Sequence, residues 1–344
     1  MVITRKRTPP TLAPIYLNNT QIGESTSIIS LGVTITRTLN WNEHIYKQIS
    51  KASKRMFILH TYRNILPRSS LECIYTSMIR PVLEFGDVLY DSLSLSTVHA
   101  LETIQRQAAV ICSGAYRHTR HKNLLLELGW EPLAERRRYH KLCLFYKIVH
   151  RIYPPYLHNL LQYNTQNTYN LRNPTTLIPR HTRLKSSFHS FFPSCTREWN
   201  NLPTSTQQAI STNTFKSLIR AKPPTNKKYN TLCTGIHGRW LSRLRMNLSA
   251  LNHHRFTYNF IPSSLCPCCS THSETTKHYF FHCPTHRLAR TRLSFRLELE
   301  LEMTVDNEDK LLETILFGKF INPNNYSKLL DIVFQYISST GRFA

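Results

Sequence analysis

Residues 40–59 read NWNEHIYKQISKASKRMFIL. Ile45, Ile49, Ala52, Met56 and Leu59 step by 4, 3, 4 and 3. That spacing places them on one face of an α-helix, whereas a strand would need alternation. Asn40 with Glu43 three residues later has the pattern of a capping box, which predicts the start of the helix at this point. Lys47, Lys51, Lys54 and Arg55 fall off the apolar stripe, so the helix carries a basic outer face.

The same period recurs downstream. Ser69 or Ser70 is placed to cap a second helix with Leu71, Ile74, Tyr75, Met78 and Val82 on one side. Pro81, lacking an N–H, is expected to kink or end it. A third helix is expected over about 97–113, with Val98, Leu101, Ile104, Ala108 and Ile111 inward and Gly114 as its stop. Pro132 suits the first turn of a fourth, which carries Arg136, Arg137, Arg138, Lys141, Lys147 and Arg151. Four amphipathic helices in succession predict a helical bundle over 37–162. Before it, residues 1–36 hold two short β-like runs, 15–17 and 28–35, with Gly23 and Gly32 as turn signals. After it, 163–234 has a linker composition of Asn, Thr and Pro, interrupted by aromatic islands at 188–202 and 215–219. Residues 235–297 form a cysteine-rich module with basic flanks, and 298–344 an acidic segment with a last helix. The expected fold class is mainly α: a helical bundle after a short β remnant, then the small cysteine-rich module and C-terminal helices.

Charge bounds the partners. The 344 residues carry 44 Lys and Arg against 20 Asp and Glu, a net +24. Eight of those acids lie after residue 297, against four of the bases, so the excess is concentrated in the first 297 residues. Such a chain repels itself unless a polyanion neutralises it, and nucleic acid is the common polyanion. RNA or DNA is therefore the expected partner. No run of 18 uncharged apolar residues exists, so no membrane partner is expected. No apolar segment precedes Pro9 and Pro10, which argues against a secretory signal, and Arg5, Lys6 and Arg7 make a short basic run. A nuclear or cytoplasmic location is expected. Cys73, Cys112, Cys143, Cys195 and Cys233 are scattered among apolar neighbours and read as free thiols.

Four of the nine cysteines crowd into residues 266–283, CPCCSTHSETTKHYFFHC. Cys266, Cys269, His278 and Cys283 have the spacing C-x2-C-x8-H-x4-C. A CxxC turn aims two thiolates at one ion, and a His and a Cys close the tetrahedron of structural zinc. Thiolate and imidazole favour zinc over calcium or magnesium. With four protein ligands the site has no open position for catalysis. Cys268 offers a shorter C-x-C alternative, and His272 and His282 compete for the third place. Tyr279, Phe280 and Phe281 are expected to supply the module's small core, with base stacking as the alternative use. Arg243, Arg245 and Arg255 in the basic flank, with Lys47, Lys51, Lys54, Arg55, Arg136, Arg137 and Lys141, are the candidate nucleic-acid contacts.

Other chemistries lack their residues. His272-Ser-Glu274 is half of a deaminase signature, but the cysteines that should follow it come first. No G-x-G-x-x-G or G-x4-G-K-[ST] occurs. The five aspartates, Asp87, Asp91, Asp306, Asp309 and Asp331, include no adjacent pair, so two-metal phosphoryl transfer has no carboxylate cluster to use.

Four stretches in order resemble the C-terminal half of reverse transcriptases from non-LTR retrotransposons of the jockey-like LINE kind. They are residues 31–45 (LGVTITRTLNWNEHI); Ile74-Tyr75 through 80–86 (RPVLEFG) to 101–107 (LETIQRQ); 190–203 (SFFPSCTREWNNLP) with Phe215-Lys216; and 243–256 (RLRMNLSALNHHRF), leading into the cysteine cluster. The likeness spans about residues 15–295. It implies that 37–162 is thumb-like and lies along a template–primer duplex, and that the cysteine module is a CCHC zinc knuckle. The family's RNA-directed DNA polymerase needs a palm with an Asp-Asp turn and Mg2+, and none of it matches here. The resemblance therefore implies a fragment that binds nucleic acid but is inactive as a polymerase by itself. The knuckle departs from the family at Cys268-Cys269, where a Gly often sits beside the second cysteine. The alternative expectation is a stand-alone zinc-stabilised protein, binding nucleic acid or another protein, derived from such an element.

Overall fold

The computed structural model describes residues 1–4, 13–90, 93–163, 177–220, 227–233, 235–303 and 307–343. The basic run at Arg5, Lys6 and Arg7, most of the Asn/Thr-rich stretch after 163, and Asp91 and Asp306 lie outside them. The fold is mainly helical, with two small antiparallel hairpins as its strands among the described residues. Tyr16–Leu17 pairs with Thr20–Gln21, and Ser27–Ser30 pairs with Val33–Thr36. Each hairpin turns through two residues with positive φ, Asn18 and Asn19 in the first, Leu31 and Gly32 in the second. Such turns match the right-handed twist of the strands they join.

The chain divides into two compact units that cut across the five sequence segments. One comprises residues 1–55, 78–104 and 132–222; the other comprises 56–77, 105–131 and 223–344.

The helix read from residues 40–59 is Asn42–Tyr62. Ile45, Ala52, Met56 and Leu59 are buried, and Ile49 is half-buried. His44 and Gln48 are buried beside them and widen the stripe. The expected capping box does not form. The Asn40 side chain accepts from the Asn42 N–H at 3.0 Å, but Glu43 reaches forward to Lys47 at 2.7 Å instead of back to Asn40. The Asn40 N–H is already taken by the Thr36 hydroxyl at 2.9 Å, so a returning glutamate has no donor to satisfy.

The second helix starts at Arg68 with Pro67 before it, so Ser69 and Ser70 lie inside its first turn rather than capping it. It passes into a π-turn at Tyr75–Ile79 and resumes as Arg80–Leu83. The extra residue in a wider turn moves the inward face by one position. Leu71 and Tyr75 are buried as expected, but Ile79 and Leu83 then replace Met78 and Val82. Pro81 sits in the first turn of the resumed helix, where its missing N–H removes no helical bond. The third helix, Leu95–Ser113, ends at Gly114 with φ +66.

In the first unit the helix Leu133–Val149 presents Leu142, Phe145 and Tyr146 to Cys195, Trp199, Phe215 and Leu177. Tyr146 stacks on Phe215 at 4.4 Å and donates its hydroxyl to the Ala209 carbonyl at 2.6 Å. The segment expected as a linker thus supplies half of a core. Its helices Phe191–Asn200, Thr204–Gln207 and Thr212–Ile219 are short, and Pro203 and Ser211 between them look like linker residues in sequence.

In the second unit the helices Gly235–Arg245, Arg287–Leu301, Glu308–Phe317 and Tyr326–Thr340 gather around Leu241, Leu244, Leu293, Leu297, Ile315 and Val333. Among the described residues no helix is long and apolar enough to cross a membrane.

Candidate metal centre

Cys266 opens the centre. Its N–H donates to the His272 carbonyl at 2.8 Å, and its carbonyl accepts from the Ser270 N–H at 2.8 Å. Ser270 takes a positive φ of 58°, which closes the turn so that Cys266 and Cys269 point the same way. His278 and Cys283 come from the next element, a π-turn over His278–His282. The Cys283 N–H donates to the His278 carbonyl at 2.8 Å, a bond between residues five apart. In an α-helix, neighbours on one face are three or four apart. The π-turn therefore makes an H-x4-C spacing a same-face pair.

The four ligand atoms lie within 4.8 Å of one another. Cys266 Sγ is 3.9 Å from Cys283 Sγ, and Cys269 Sγ is 3.4 Å from His278 Nε2. A tetrahedral zinc bound at its usual distances requires S···S edges of about 3.8 Å and S···N edges of about 3.5 Å. The two contacts match those edges, so the donor set and its spacing fit zinc. A metal bound here would be held by these four residues and would cross-link the turn to the π-turn. Cys266, His278 and Cys283 are buried. Burial pushes the Cys266 thiol above its usual pKa, whereas the Thr271 hydroxyl, donating at 3.3 Å, holds Cys269 well below it.

The competing ligands fall away by position. Cys268 is exposed, and its carbonyl accepts from the Thr285 hydroxyl. His272 stacks its ring on His278 at 5.8 Å, and His282 faces Glu308 at 3.1 Å. Tyr279, Phe280 and Phe281 are buried in the core of the second unit, which answers the choice between packing and base stacking in favour of packing.

One supporting pair had no sequence signal. Glu274, 1% exposed, accepts two hydrogen bonds from Arg342, at 2.6 and 2.8 Å, and one from the Asn252 N–H at 2.6 Å. Arg342 also donates to the Ala250 carbonyl at 2.9 Å. Arg342 thereby pins the cysteine turn to the segment that precedes it. Glu274 and Arg342 are 68 positions apart, beyond the reach of any local pattern.

The ten basic residues expected on nucleic acid divide by environment. Lys51, Lys54, Arg55 and Arg255 are exposed, and Lys47 is exposed while paired with Glu43. Arg55 also donates to the Met78 carbonyl at 2.5 Å. Arg243 is half-buried over the Tyr116 ring at 4.1 Å. The other four are corrections. Arg245 is buried and donates to Glu127 at 2.6 and 2.8 Å, and Arg68 donates to the same carboxylate at 2.7 Å. Lys141 is buried and donates to Ser194 at 2.9 Å. Arg137 is buried over the Tyr90 ring, and Arg136 is paired with Glu84. A charge count along a helix cannot tell a cation facing solvent from one with an internal partner, and here those partners lie far away in sequence.

Comparison with protein-family models, with curated proteins and with solved structures returned no match.

Proposed function

We propose that this chain is the C-terminal part of a non-LTR retrotransposon reverse transcriptase, and that it binds RNA or DNA through a zinc-stabilised knuckle and exposed basic residues. The observation that carries the proposal is the Cys266, Cys269, His278 and Cys283 cluster, with its ligand atoms within 4.8 Å of one another, in a chain of net charge +24. The four family-like stretches support it, since they occur in the family's order and lead into that cluster. The zinc is structural: it holds the turn and the π-turn together, and the cations make the phosphate contacts. The chain has no Asp-Asp pair and is expected to show no Mg2+-dependent primer extension.

The test is a titration of the purified, zinc-loaded chain with labelled RNA and DNA over a range of salt. Binding that weakens steeply as salt rises supports phosphate contacts. No binding at low salt, or an affinity indifferent to salt, contradicts the proposal and leaves a zinc-stabilised protein-interaction module as the better reading.

A further inference from the structure

We infer that a basic, aromatic groove on the second unit, between residues 116–118 and 248–260, binds single-stranded nucleic acid by stacking its bases. The inference rests on the nucleic-acid reading above and assigns it a site. The groove encloses about 510 Å3 and is lined by Tyr116, Arg117, His118, Ala250, Arg255 and Phe260, with Leu248 and Ser249 at its floor. That volume is within the usual range for sites that hold small organic ligands. Among the described residues its lining contains no carboxylate, and it contains two arginines.

Two helix ends shape the walls. The helix Gly235–Arg245 closes with Asn247 at φ 54°, and the Leu248 N–H returns to the Arg243 carbonyl at 3.2 Å. The helix Asn252–Thr257 closes with Asn259 at φ 58°, and the Phe260 N–H returns to the Arg255 carbonyl at 2.9 Å. Both are Schellman stops with Asn in the left-handed position. The second holds Phe260 beside Arg255 although half of Phe260 is exposed. Phe260 is the platform: it stacks with Tyr258 at 6.3 Å, His118 lies 5.8 Å away with its plane tilted by 55°, and Arg120 sits 5.9 Å over Tyr258. An exposed aromatic ring edged by guanidinium groups, with no acid in the lining, is the kind of element by which proteins hold unpaired bases and their phosphates. A duplex buries its base faces and cannot use such a platform. The Glu274–Arg342 pair bonds to Ala250 and to the Asn252 N–H, so one wall of the groove is fastened to the metal-binding turn.

The experiment measures binding of a labelled single-stranded oligouridine and of an RNA duplex to the full, zinc-loaded chain. Phe260→Ala is expected to weaken single-strand binding about ten-fold or more, with duplex binding and zinc content unchanged. Phe260→Trp should retain the affinity. Arg117→Gln with Arg255→Gln should lower the salt slope for the single strand by about 1.4; this surface pair decides the matter if Phe260→Ala does not fold. Variants that bind the single strand as the parent does overturn the groove while leaving the proposed function standing. A parent chain that binds neither probe overturns both.

Discussion

At the scale of single residues, the centre depends on which neighbour points inward. Cys268 and Cys269 are adjacent and chemically identical, and the turn closed at Ser270 turns only Cys269 toward His278. Metal analysis should find one zinc in the parent chain and in Cys268→Ser, and substantially less in Cys269→Ser or His278→Ala. A Cys269→Ser protein with full zinc would refute the ligand set. The spacing in the sequence was enough to find the cluster but not to choose between these two cysteines, because the choice is made by one left-handed residue. Glu127 depends on its partners in the same way. Burial works against its charge, but Arg245 and Arg68 outweigh that and hold its carboxyl below the ordinary range. Removing the carboxylate leaves the buried Arg245 without an acid, while Arg68 keeps Glu72 at 2.8 Å, so Glu127→Ala should cost about 3–5 kcal/mol in chemical denaturation. An effect under 1 kcal/mol would mean that water reaches the pair. His254 adds a pH dependence. Burial, with His253 as a lesser cause, depresses it from 6.5 to about 4. The folded state thus refuses a proton that the unfolded chain accepts, and stability is lost as pH falls from about 6.5 to about 4, on the order of 3 kcal/mol. Denaturation of the parent and of His254→Gln across that window should show the parent losing more.

At the scale of elements, periodicity located the helices Asn42–Tyr62 and Leu95–Ser113, missed Arg287–Leu301, and misplaced details where the period changed. The helix from residues 40–59 was legible because its stripe repeats over five apolar positions, four of which are buried. The stripe after Tyr75 was shifted by one because a π-turn has no sequence signature that distinguishes it from an α-turn. A second π-turn is what makes the H-x4-C spacing useful, so the same irregularity that defeated one reading supports the other. The short helices after residue 177 escaped notice because none is longer than ten residues and turn-forming residues separate them. Gly238 carries a prediction at this scale. It lies within the helix Gly235–Arg245, where Gly→Ala ordinarily stabilises by about 0.5–1 kcal/mol. Here an added Cβ would lie 2.4 Å from the Cys233 backbone. Gly238→Ala should therefore destabilise, by about 1–3 kcal/mol. A rise in thermal midpoint would show that the chain before the helix yields easily.

At the scale of the whole molecule, charge and cysteines speak to different parts of the account. The excess of cations pointed to a polyanion but not to a surface, since Arg245, Lys141, Arg137 and Arg136 are spent on internal partners. The division into two units was not legible either, because each unit is assembled from three separate stretches of chain. The proposed role is that of a zinc-organised module that takes part in binding nucleic acid through phosphate contacts. The measurement that tests it most directly is single-stranded RNA affinity across a salt series, made on the zinc-loaded chain and again after chelation. The account predicts tight binding at low salt, a steep fall as salt rises, and a marked loss once zinc is removed. Affinity that is unchanged by chelation and flat with salt would contradict it.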